Sequence, residues 1–329
     1  MKLIIIENHQ PLPVKQYGGI ERISLFHYTA QCELGVNDPV LICLHGSSIS
    51  TPNGKVIQLS RKEMDDLLSN KLPLRNLVSD ADIVLTNNSE LFFPIDLSGT
   101  NTKRVGVCHG DDEITNNKYQ FFVSNGQLKS HIKRKQNFDT LHKKVFVVNN
   151  GIDHNLYRVG ETTKNKIVWF SSIDPRKSPE LLGIIANSIN ENIIAAGTGN
   201  PYLFNSNKVN YIGPITGEEE KTNFFSRAEV YIHTSKDPNF NDPCPTTVLE
   251  SQMCGVPVVG FKSGGVEEIC YDKNLIFDNI EDLINCIKNK DYLQHKPSDI
   301  REWAIENFNS IKMAKEYNKC FEFIMKDRT

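Results

Sequence analysis

Short apolar runs alternate with longer amphipathic segments from the first residues onward, and this alternation restricts the fold more than any other feature of the chain. Strands that are buried on both faces of a parallel sheet read as continuous apolar runs, and the helices that connect them carry one apolar stripe. The pattern therefore predicts an α/β protein in which strands and helices alternate around parallel sheets.

Thirteen runs rich in β-branched and aromatic residues predict the strands. In the first half they cover residues 2–6, 39–44, 55–59, 83–86, 104–108, 119–124 and 145–148. In the second half they cover residues 167–170, 193–196, 209–212, 230–233, 256–261 and 275–277. Helical spacing of apolar residues predicts a helix over 20–34 and two amphipathic helices over 300–326.

The length and one polar stretch predict two domains. A chain of 329 residues is long enough for two domains of ordinary size. Residues 158–166 are polar and have no apolar periodicity, which is typical of a linker. We expect one Rossmann-like domain over 1–150, a second over 151–305, and a tail helix over 306–329 that packs back on the first.

Composition excludes several classes of protein. Lys and Arg number 37 against 40 Asp and Glu, so no overall basic field favours nucleic acid. The longest apolar runs fall far short of the roughly 20 residues that span a bilayer, and the N-terminal segment lacks a signal-peptide cleavage site. Eight cysteines occur without a C-x-x-C pair, which predicts no structural zinc. We expect a cytoplasmic protein without nucleic-acid partners.

One local segment, 129–144, is strongly basic, with Ile132 and Phe138 between its charges. The pattern is typical of a solvated helix face. It also suits peripheral contact with an anionic membrane or an anionic acceptor. Both interpretations stay open.

The window 239–268 carries the most chemistry. Pro245 suits the first turn of a helix and Gly255 its end, which predicts a helix over 246–254. Thr246 and Thr247 then lie where free backbone N–H groups and the helix dipole favour a phosphate. Glu250 shares their helix face and would suit a ribose hydroxyl.

Two loops flank this helix. Asp242 precedes it in a loop rich in Pro and Asn, where it suits either a substrate contact or an Asx turn. After the helix, Ser263-Gly264-Gly265 follows an apolar strand and suits either a second anion-facing helix start or an ordinary turn.

The first half offers two further candidate positions. Gly18-Gly19 would let a backbone approach a ligand closely, although such a pair is also common at the start of a helix. His109 ends the predicted strand 104–108, and parallel sheets bind ligands at the carboxyl ends of their strands. His45 is a weaker candidate on the same argument.

The window 239–268 resembles the signature of retaining glycosyltransferases of family 4, in which two acidic residues eight positions apart precede a C-G-x-P-V-V run and G-G-x-x-E. Here Asp242 and Glu250 stand at the acidic positions, before C-G-V-P-V-V and G-G-V-E-E. The resemblance extends to 147–153, 211–219 and 228–235. It implies a GT-B fold, with two Rossmann-like domains facing a cleft.

The resemblance also implies roles for single residues. Asp242 would contact the donor sugar and Glu250 the ribose, while His109 would contact the transferred sugar. The family's diphosphate-binding Arg and Lys correspond to Ser172 and Lys177, so either Arg176 reaches in from the next turn or Lys177 works with less help. The remaining donor-binding residues by resemblance are Gly18, Gly19, Thr246, Thr247 and Ile215.

The implied function is transfer of a sugar, with retention, from a UDP- or GDP-sugar to a glycan, lipid-linked or other hydroxyl acceptor. No cofactor or divalent metal is expected, because protein groups can stabilise the leaving diphosphate. Two alternatives are a sugar-nucleotide epimerase of the same fold and a catalytically weak nucleotide-sugar-binding protein. Asp242 in the glutamate position and Ser172 in the arginine position motivate the second.

Overall fold

The computed structural model describes residues 1–14, 18–71, 74–87, 97–110, 118–134, 144–160, 166–236 and 242–327. Its strands are β1 (Lys2–Ile6), β2 (Asp38–Leu44), β3 (Lys55–Leu59), β4 (Ile83–Thr86), β5 (Lys103–Cys108), β6 (Tyr119–Phe122), β7 (Lys144–Val147), β8 (Lys166–Phe170), β9 (Ile193–Ala196), β10 (Val209–Tyr211), β11 (Ala228–His233), β12 (Val258–Phe261) and β13 (Ile276–Phe277). Its helices are α1 (Gly19–Leu34), α2 (Arg61–Leu68), α3 (Asn125–Arg134), α4 (Pro179–Ile189), α5 (Gly217–Ser226), α6 (Thr246–Met253), α7 (Val266–Ile269), α8 (Ile280–Asn289), α9 (Pro297–Phe308) and α10 (Ser310–Lys326).

The chain forms two compact units. Unit 1 comprises Met1–Val123, His131–Gly151 and Ser310–Thr329, and unit 2 comprises Ser124–Ser130 and Ile152–Asn309. The chain passes between the units after Gly151, ahead of the predicted linker at 158–166. Tyr157 already belongs to unit 2, because it is buried there and its hydroxyl donates to Glu218 at 2.6 Å. Residues 161–165 of the predicted linker lie outside the described residues.

Each unit is built on one parallel sheet. Unit 1 has seven strands in the order β3-β2-β1-β4-β5-β6-β7, and unit 2 has six in the order β10-β9-β8-β11-β12-β13. Every recorded pair between these strands is parallel. The core lies along the central strands, and residues 3–6 of β1 are at most 2% exposed. The predicted α/β class with two parallel-sheet domains is confirmed.

Each sheet has one point where the winding reverses. In unit 1 the chain runs outward from β1 to β3 and then returns to the other side of β1 with β4. In unit 2 it runs from β8 to β10 and returns beside β8 with β11. At such a switch point the loops after the two neighbouring strands diverge and leave a crevice at the carboxyl edge. The residues that follow β1, β4, β8 and β11 are therefore the first candidates for ligand binding.

Two strands end differently from the prediction for identifiable reasons. The predicted strand 119–124 stops at Phe122, and the Ser124 hydroxyl instead accepts a hydrogen bond from the Gln127 backbone at 3.1 Å, which caps α3. The predicted strand 256–261 begins only at Val258. The Val256 N–H, which precedes the strand, donates to the Ser251 carbonyl oxygen at 3.0 Å. This hydrogen bond belongs to the end of α6 and not to the sheet.

The tail forms the two predicted helices, α9 and α10, which are separated by Asn309 in an extended conformation. Helix α10 packs on α1 within unit 1. The His27 ring of α1 is 1% exposed and stacks on Tyr317 at a centroid distance of 4.3 Å. Gln31, one turn further, donates to the Asn318 side chain at 2.9 Å. None of the described helices combines the length and apolar character that crossing a bilayer requires.

Burial of His27 between α1 and α10 should make the stability of the protein depend on pH. Burial lowers the pKa of His27 from 6.5 to about 3. Because the folded-state pKa lies below the unfolded value, the free energy of unfolding is highest above pH 6.5 and falls as the pH drops towards 3. This group alone should cost about 2 kcal/mol between pH 7.5 and pH 5.

Urea denaturation of the wild type and of His27→Phe at both pH values measures this cost. Phenylalanine keeps an aromatic ring against Tyr317 but cannot take up a proton. The free energy of unfolding of the variant should therefore fall by about 2 kcal/mol less over this interval. An equal fall in both proteins would contradict the assignment to His27.

Candidate functional site

The carboxyl edge of the unit 2 sheet brings together the ends of β8 and β11 at the switch point. After β8 the chain makes a 3-10 turn, Pro175–Lys177. The Thr234 hydroxyl, directly after β11, donates to the Lys177 carbonyl oxygen at 2.7 Å and accepts from the Trp169 indole at 2.8 Å. The buried indole thus holds the threonine, and the threonine holds the turn that carries Lys177.

A buried ion pair occupies this edge. The Lys177 ammonium donates to the Asp242 carboxylate, and the two side chains are 14% and 7% exposed. The Ser235 hydroxyl donates to the same carboxylate oxygen at 3.1 Å, and His233 Nε2 lies 3.6 Å from it. Asp242, predicted as a substrate contact, therefore meets Lys177, predicted as a diphosphate ligand.

Burial and neighbouring groups together set the protonation states of Asp242 and His233. Burial alone would raise the pKa of the Asp242 carboxyl, but the Lys177 charge and the hydrogen bonds from Lys177 and Ser235 outweigh it and lower that pKa below its ordinary value. Burial lowers the pKa of His233 to about 4, so its imidazole is neutral at pH 7. At neutral pH the Asp242 side chain is therefore a carboxylate and the His233 ring is neutral.

Helix α6 places the other predicted unit 2 residues. It begins at Thr246, as predicted. Pro245 occupies the N-cap position, and its side chain makes no capping hydrogen bond. Thr246 and Thr247 are half-buried, and the Thr247 hydroxyl accepts a hydrogen bond from Tyr231 at 2.9 Å. Glu250 is completely buried. Its predicted contact with a ribose stays a prediction.

The segment Ser263-Gly264-Gly265 holds the Asp242 loop. The Asp242 N–H donates to the Ser263 hydroxyl at 3.1 Å, and the Gly265 N–H donates to the Asp242 carbonyl at 3.1 Å. Gly264 has a φ of +54°, and a Cβ there would lie 2.2 Å from the Asp242 carbonyl oxygen. Of the two interpretations of this motif, the structure supports a close backbone turn.

Two predicted donor-binding residues take no part in the recorded contacts of the ion pair. Arg176 is 62% exposed at its side chain and makes a two-pronged contact with Asp174, at 2.9 Å for both bonds. Ile215 lies half-buried between β10 and α5. Residues 237–241, which include the start of the signature, lie outside the described residues.

The unit 1 candidates lie on a separate sheet. His109 follows β5, and Asn87 directly follows β4. The His109 Nε2 atom lies 3.3 Å from the Asn87 Oδ1 atom. Burial lowers the pKa of His109 to about 4. Gly18 precedes α1, and a Cβ there would lie 2.8 Å from Val14; Gly19 is the first residue of the helix. Tyr17, Asp111, Asp112 and residues 135–143 of the basic segment lie outside the described residues.

Sequence reasoning missed four polar residues of these edges, namely Asn87, His233, Thr234 and Ser235. Each of them ends a strand or lies within two residues of its end. The strand-end argument that selected His109 would have selected them as well. Within the described ranges, no three His, Cys, Asp or Glu side chains come close enough to hold a metal ion, and the predicted absence of a metal stays a prediction.

Comparison with protein families and curated proteins gives one match. Residues 202–291 match the model of the family Glycosyl transferases group 1. This stretch contains β11, α6 and Asp242, and it stops short of the tail helices. No curated protein matches the chain significantly.

Solved glycosyltransferase structures match nearly the whole chain. AviGT4, involved in avilamycin A biosynthesis, has a TM-score of 0.73 at 17% identity and covers 98% of both chains. Anabaena HepE, solved with UDP and glucose, has a TM-score of 0.71 at 16% identity and covers 98% of this chain and 99% of its own. Sucrose-phosphate synthase of Thermosynechococcus elongatus has a TM-score of 0.75 at 13% identity and covers 98% of both chains. The chain thus has the GT-B fold of these structures, and its residues 202–291 are similar to the family Glycosyl transferases group 1.

Proposed function

We propose that the protein is a retaining glycosyltransferase that moves a hexose from a nucleotide diphosphate sugar to the hydroxyl of a carbohydrate or lipid-linked acceptor. The observation that carries the proposal is the Lys177–Asp242 pair at the unit 2 switch point. It combines a cation for a leaving diphosphate with a carboxylate for sugar hydroxyls at the sheet edge where α/β proteins bind nucleotides.

Lys177 and α6 would hold the diphosphate. The ammonium supplies positive charge where negative charge develops as the bond between sugar and phosphate breaks. The first turn of α6 adds backbone N–H groups and the hydroxyls of Thr246 and Thr247. No metal ion is needed in this arrangement, because the protein supplies the compensating charge.

Asp242 has two roles in this proposal. Without donor it neutralises Lys177, because a lone buried ammonium is unfavourable. With donor bound, the phosphates take over part of that role, and the carboxylate can accept hydrogen bonds from the sugar. By resemblance Glu250 contacts the ribose and His109 the transferred sugar.

The donor series to test first is uridine-based. HepE of Anabaena has been solved with UDP, with UDP-glucose, and with UDP and glucose. Carried over to this chain, this favours a UDP-sugar over the GDP-sugars that the signature also permits.

A catalytically weak nucleotide-sugar-binding protein is the second candidate. Two observations favour it: Ser172 stands at the family's arginine position, and Arg176 contacts Asp174 on the surface. Binding of a UDP-sugar without hydrolysis or transfer would select this candidate.

The exposed Lys129, Ile132 and Lys133 on α3 suit peripheral contact with an anionic membrane, as a lipid-linked acceptor would require. Cosedimentation with vesicles containing phosphatidylserine should fall several-fold in the Lys129→Glu/Lys133→Glu variant. Equal sedimentation of both proteins would remove this part of the proposal.

Nucleotides should stabilise the protein against heat. A ligand at 100 times its Kd adds about 2.7 kcal/mol to the folded state, which should raise the Tm by several degrees. We expect the shift with UDP and UDP-glucose and not with ADP, measured by differential scanning fluorimetry. A shift with GDP alone would change the donor, and no shift with any nucleotide would contradict the donor site.

Substitutions in the ion pair should separate diphosphate binding from sugar transfer. Lys177→Met removes the cation, so UDP affinity should fall at least tenfold, and the unpaired Asp242 should cost about 3–5 kcal/mol of unfolding free energy. Asp242→Asn frees Lys177, so UDP should bind at least as tightly as to the wild type while sugar transfer falls.

Isothermal titration calorimetry with UDP and transfer assays measure the two effects. Lys262→Met is the matched control, because Lys262 pairs with Asp278 at 2.8 Å on the surface of the same unit and should affect neither. Wild-type UDP affinity in Lys177→Met would contradict the role of that lysine.

A further inference from the structure

His233 is a buried imidazole beside the Lys177–Asp242 pair, and none of the donor-binding roles above uses it. It is the last residue of β11 and is 3% exposed. Its Nε2 atom lies 3.6 Å from Asp242 Oδ2 and has no hydrogen-bond partner among the described residues. A buried ring nitrogen without a partner is costly, because it has lost the water that would otherwise bind it. The ring is thus held beside the carboxylate at a distance slightly too long for a hydrogen bond.

The two oxygens of the Asp242 carboxylate have different surroundings. Oδ2 accepts hydrogen bonds from the Lys177 ammonium and from the Ser235 hydroxyl, and it is also the oxygen nearest His233. Within the described part of unit 2, no residue donates a hydrogen bond to Oδ1. The carboxylate therefore directs Oδ2 to the protein and leaves Oδ1 for the hydroxyl of a sugar.

The sheet fixes the position of the His233 ring. His233 pairs with Gly260 of β12, where a Cβ would lie 2.8 Å from the His233 carbonyl oxygen and 2.9 Å from its Cβ atom. Only glycine permits this close approach without a shift of the backbone. The Tyr231 hydroxyl, from β11 itself, lies 3.4 Å from the other ring nitrogen, Nδ1. Strand residues thus surround the imidazole, whereas its two charged neighbours lie on loops.

The carboxylate decides which ring nitrogen of His233 carries the proton. The ring is neutral at pH 7, because burial lowers its pKa to about 4, and a neutral imidazole has one N–H group. The ionised Asp242 carboxylate can only accept hydrogen bonds, so the N–H group is at Nε2, which faces it. His233 therefore presents a donor to the same oxygen that the Lys177 ammonium contacts.

A bound diphosphate would change the surroundings of Asp242 Oδ2. In the proposed function the Lys177 ammonium turns to the phosphates, so Oδ2 loses its charged partner. A buried carboxylate left with one serine hydroxyl would be poorly compensated and free to rotate. An approach of roughly 0.7 Å would bring His233 Nε2 to the ordinary N–H···O distance of about 2.9 Å and would replace the lost partner.

We propose that His233 is the positioning residue of Asp242: its Nε2–H group donates to Oδ2 once a diphosphate engages Lys177, and so keeps Oδ1 directed at the donor sugar. The inference rests on the proposed glycosyltransferase function and deepens it. His233 itself contacts neither the sugar nor the phosphates, and no proton leaves its ring. Its contribution should therefore appear in the affinity for the sugar part of the donor and not in the affinity for the nucleotide.

Binding measurements separate these two affinities. Isothermal titration calorimetry on the full chain gives the Kd for UDP and for UDP-glucose, and the ratio of the two measures the contribution of the sugar. His233→Leu fills a similar volume without the N–H group, so UDP-glucose affinity should fall about tenfold, as loss of one hydrogen bond to a charged group predicts. UDP affinity should change far less, because water in the empty sugar position can then solvate the carboxylate.

Two further variants distinguish positioning from packing. His233→Gln places an amide donor where Nε2 lies and should recover most of the UDP-glucose affinity. His233→Asn, whose shorter amide reaches only the Nδ1 position, should behave like His233→Leu and serves in its place if the leucine variant does not fold. A residue needed only for packing would instead tolerate leucine better than glutamine.

A double-mutant cycle shows whether His233 acts through Asp242. Asp242→Ala removes the group that His233 would position, so His233→Leu should have little further effect in that background. Independent roles would make the two losses multiply. The rate of UDP-glucose hydrolysis, measured on the same four proteins, should show the same loss in His233→Leu and the same lack of additivity.

His295→Leu is the matched control, since His295 Nε2 also faces a carboxylate of unit 2, Asp272 at 2.7 Å, but near the amino end of β13. It should leave both Kd values and hydrolysis unchanged. Thermal unfolding confirms that each variant is folded. Equal changes of UDP and UDP-glucose affinity in the folded His233 variants, or losses that multiply in the cycle, would overturn the inference. A wild type that binds neither UDP nor UDP-glucose would instead overturn the proposed function on which it rests.

Discussion

Parallel strand pairing is the constraint on which the rest of this structure depends. Because all recorded strand pairs in both sheets are parallel, each connection must cross the sheet, and the carboxyl ends of all strands meet at one edge. The winding reverses once in each sheet, between β1 and β4 and between β8 and β11. Polar residues that follow these four strands are thereby concentrated in two places, while the strands themselves remain apolar.

At each of these places a buried carboxylate is kept ionised by nearby donors. Asp242 is paired with Lys177 in unit 2, and Glu7 accepts hydrogen bonds from Ser24 and His9 in unit 1. Burial opposes the charge in both cases, and the partners outweigh it. Such groups contribute little net stability, because desolvation cancels much of the attraction.

The supporting contacts explain how these groups are held in place. Trp169 and Thr234 hold the Lys177 turn, and Ser263 and Gly265 hold the Asp242 loop by its backbone. Each contact joins residues from different strands or loops of unit 2. A pair held in this way by the sheet keeps a fixed geometry, and fixed geometry reduces the entropy that a site loses when a ligand binds.

The sequence by itself determined the order and type of the elements, because burial on both faces of a strand and on one face of a helix leaves a periodic trace in the local residues. It also indicated α6 through Pro245 and Gly255, and it singled out Lys177 and Asp242 as chemically important. Only the tertiary structure decided which of these groups meet. Lys177 pairs with a residue 65 positions away, whereas its neighbour Arg176 turns to Asp174. Strand order and crossover connections set such contacts, and local periodicity carries no record of them.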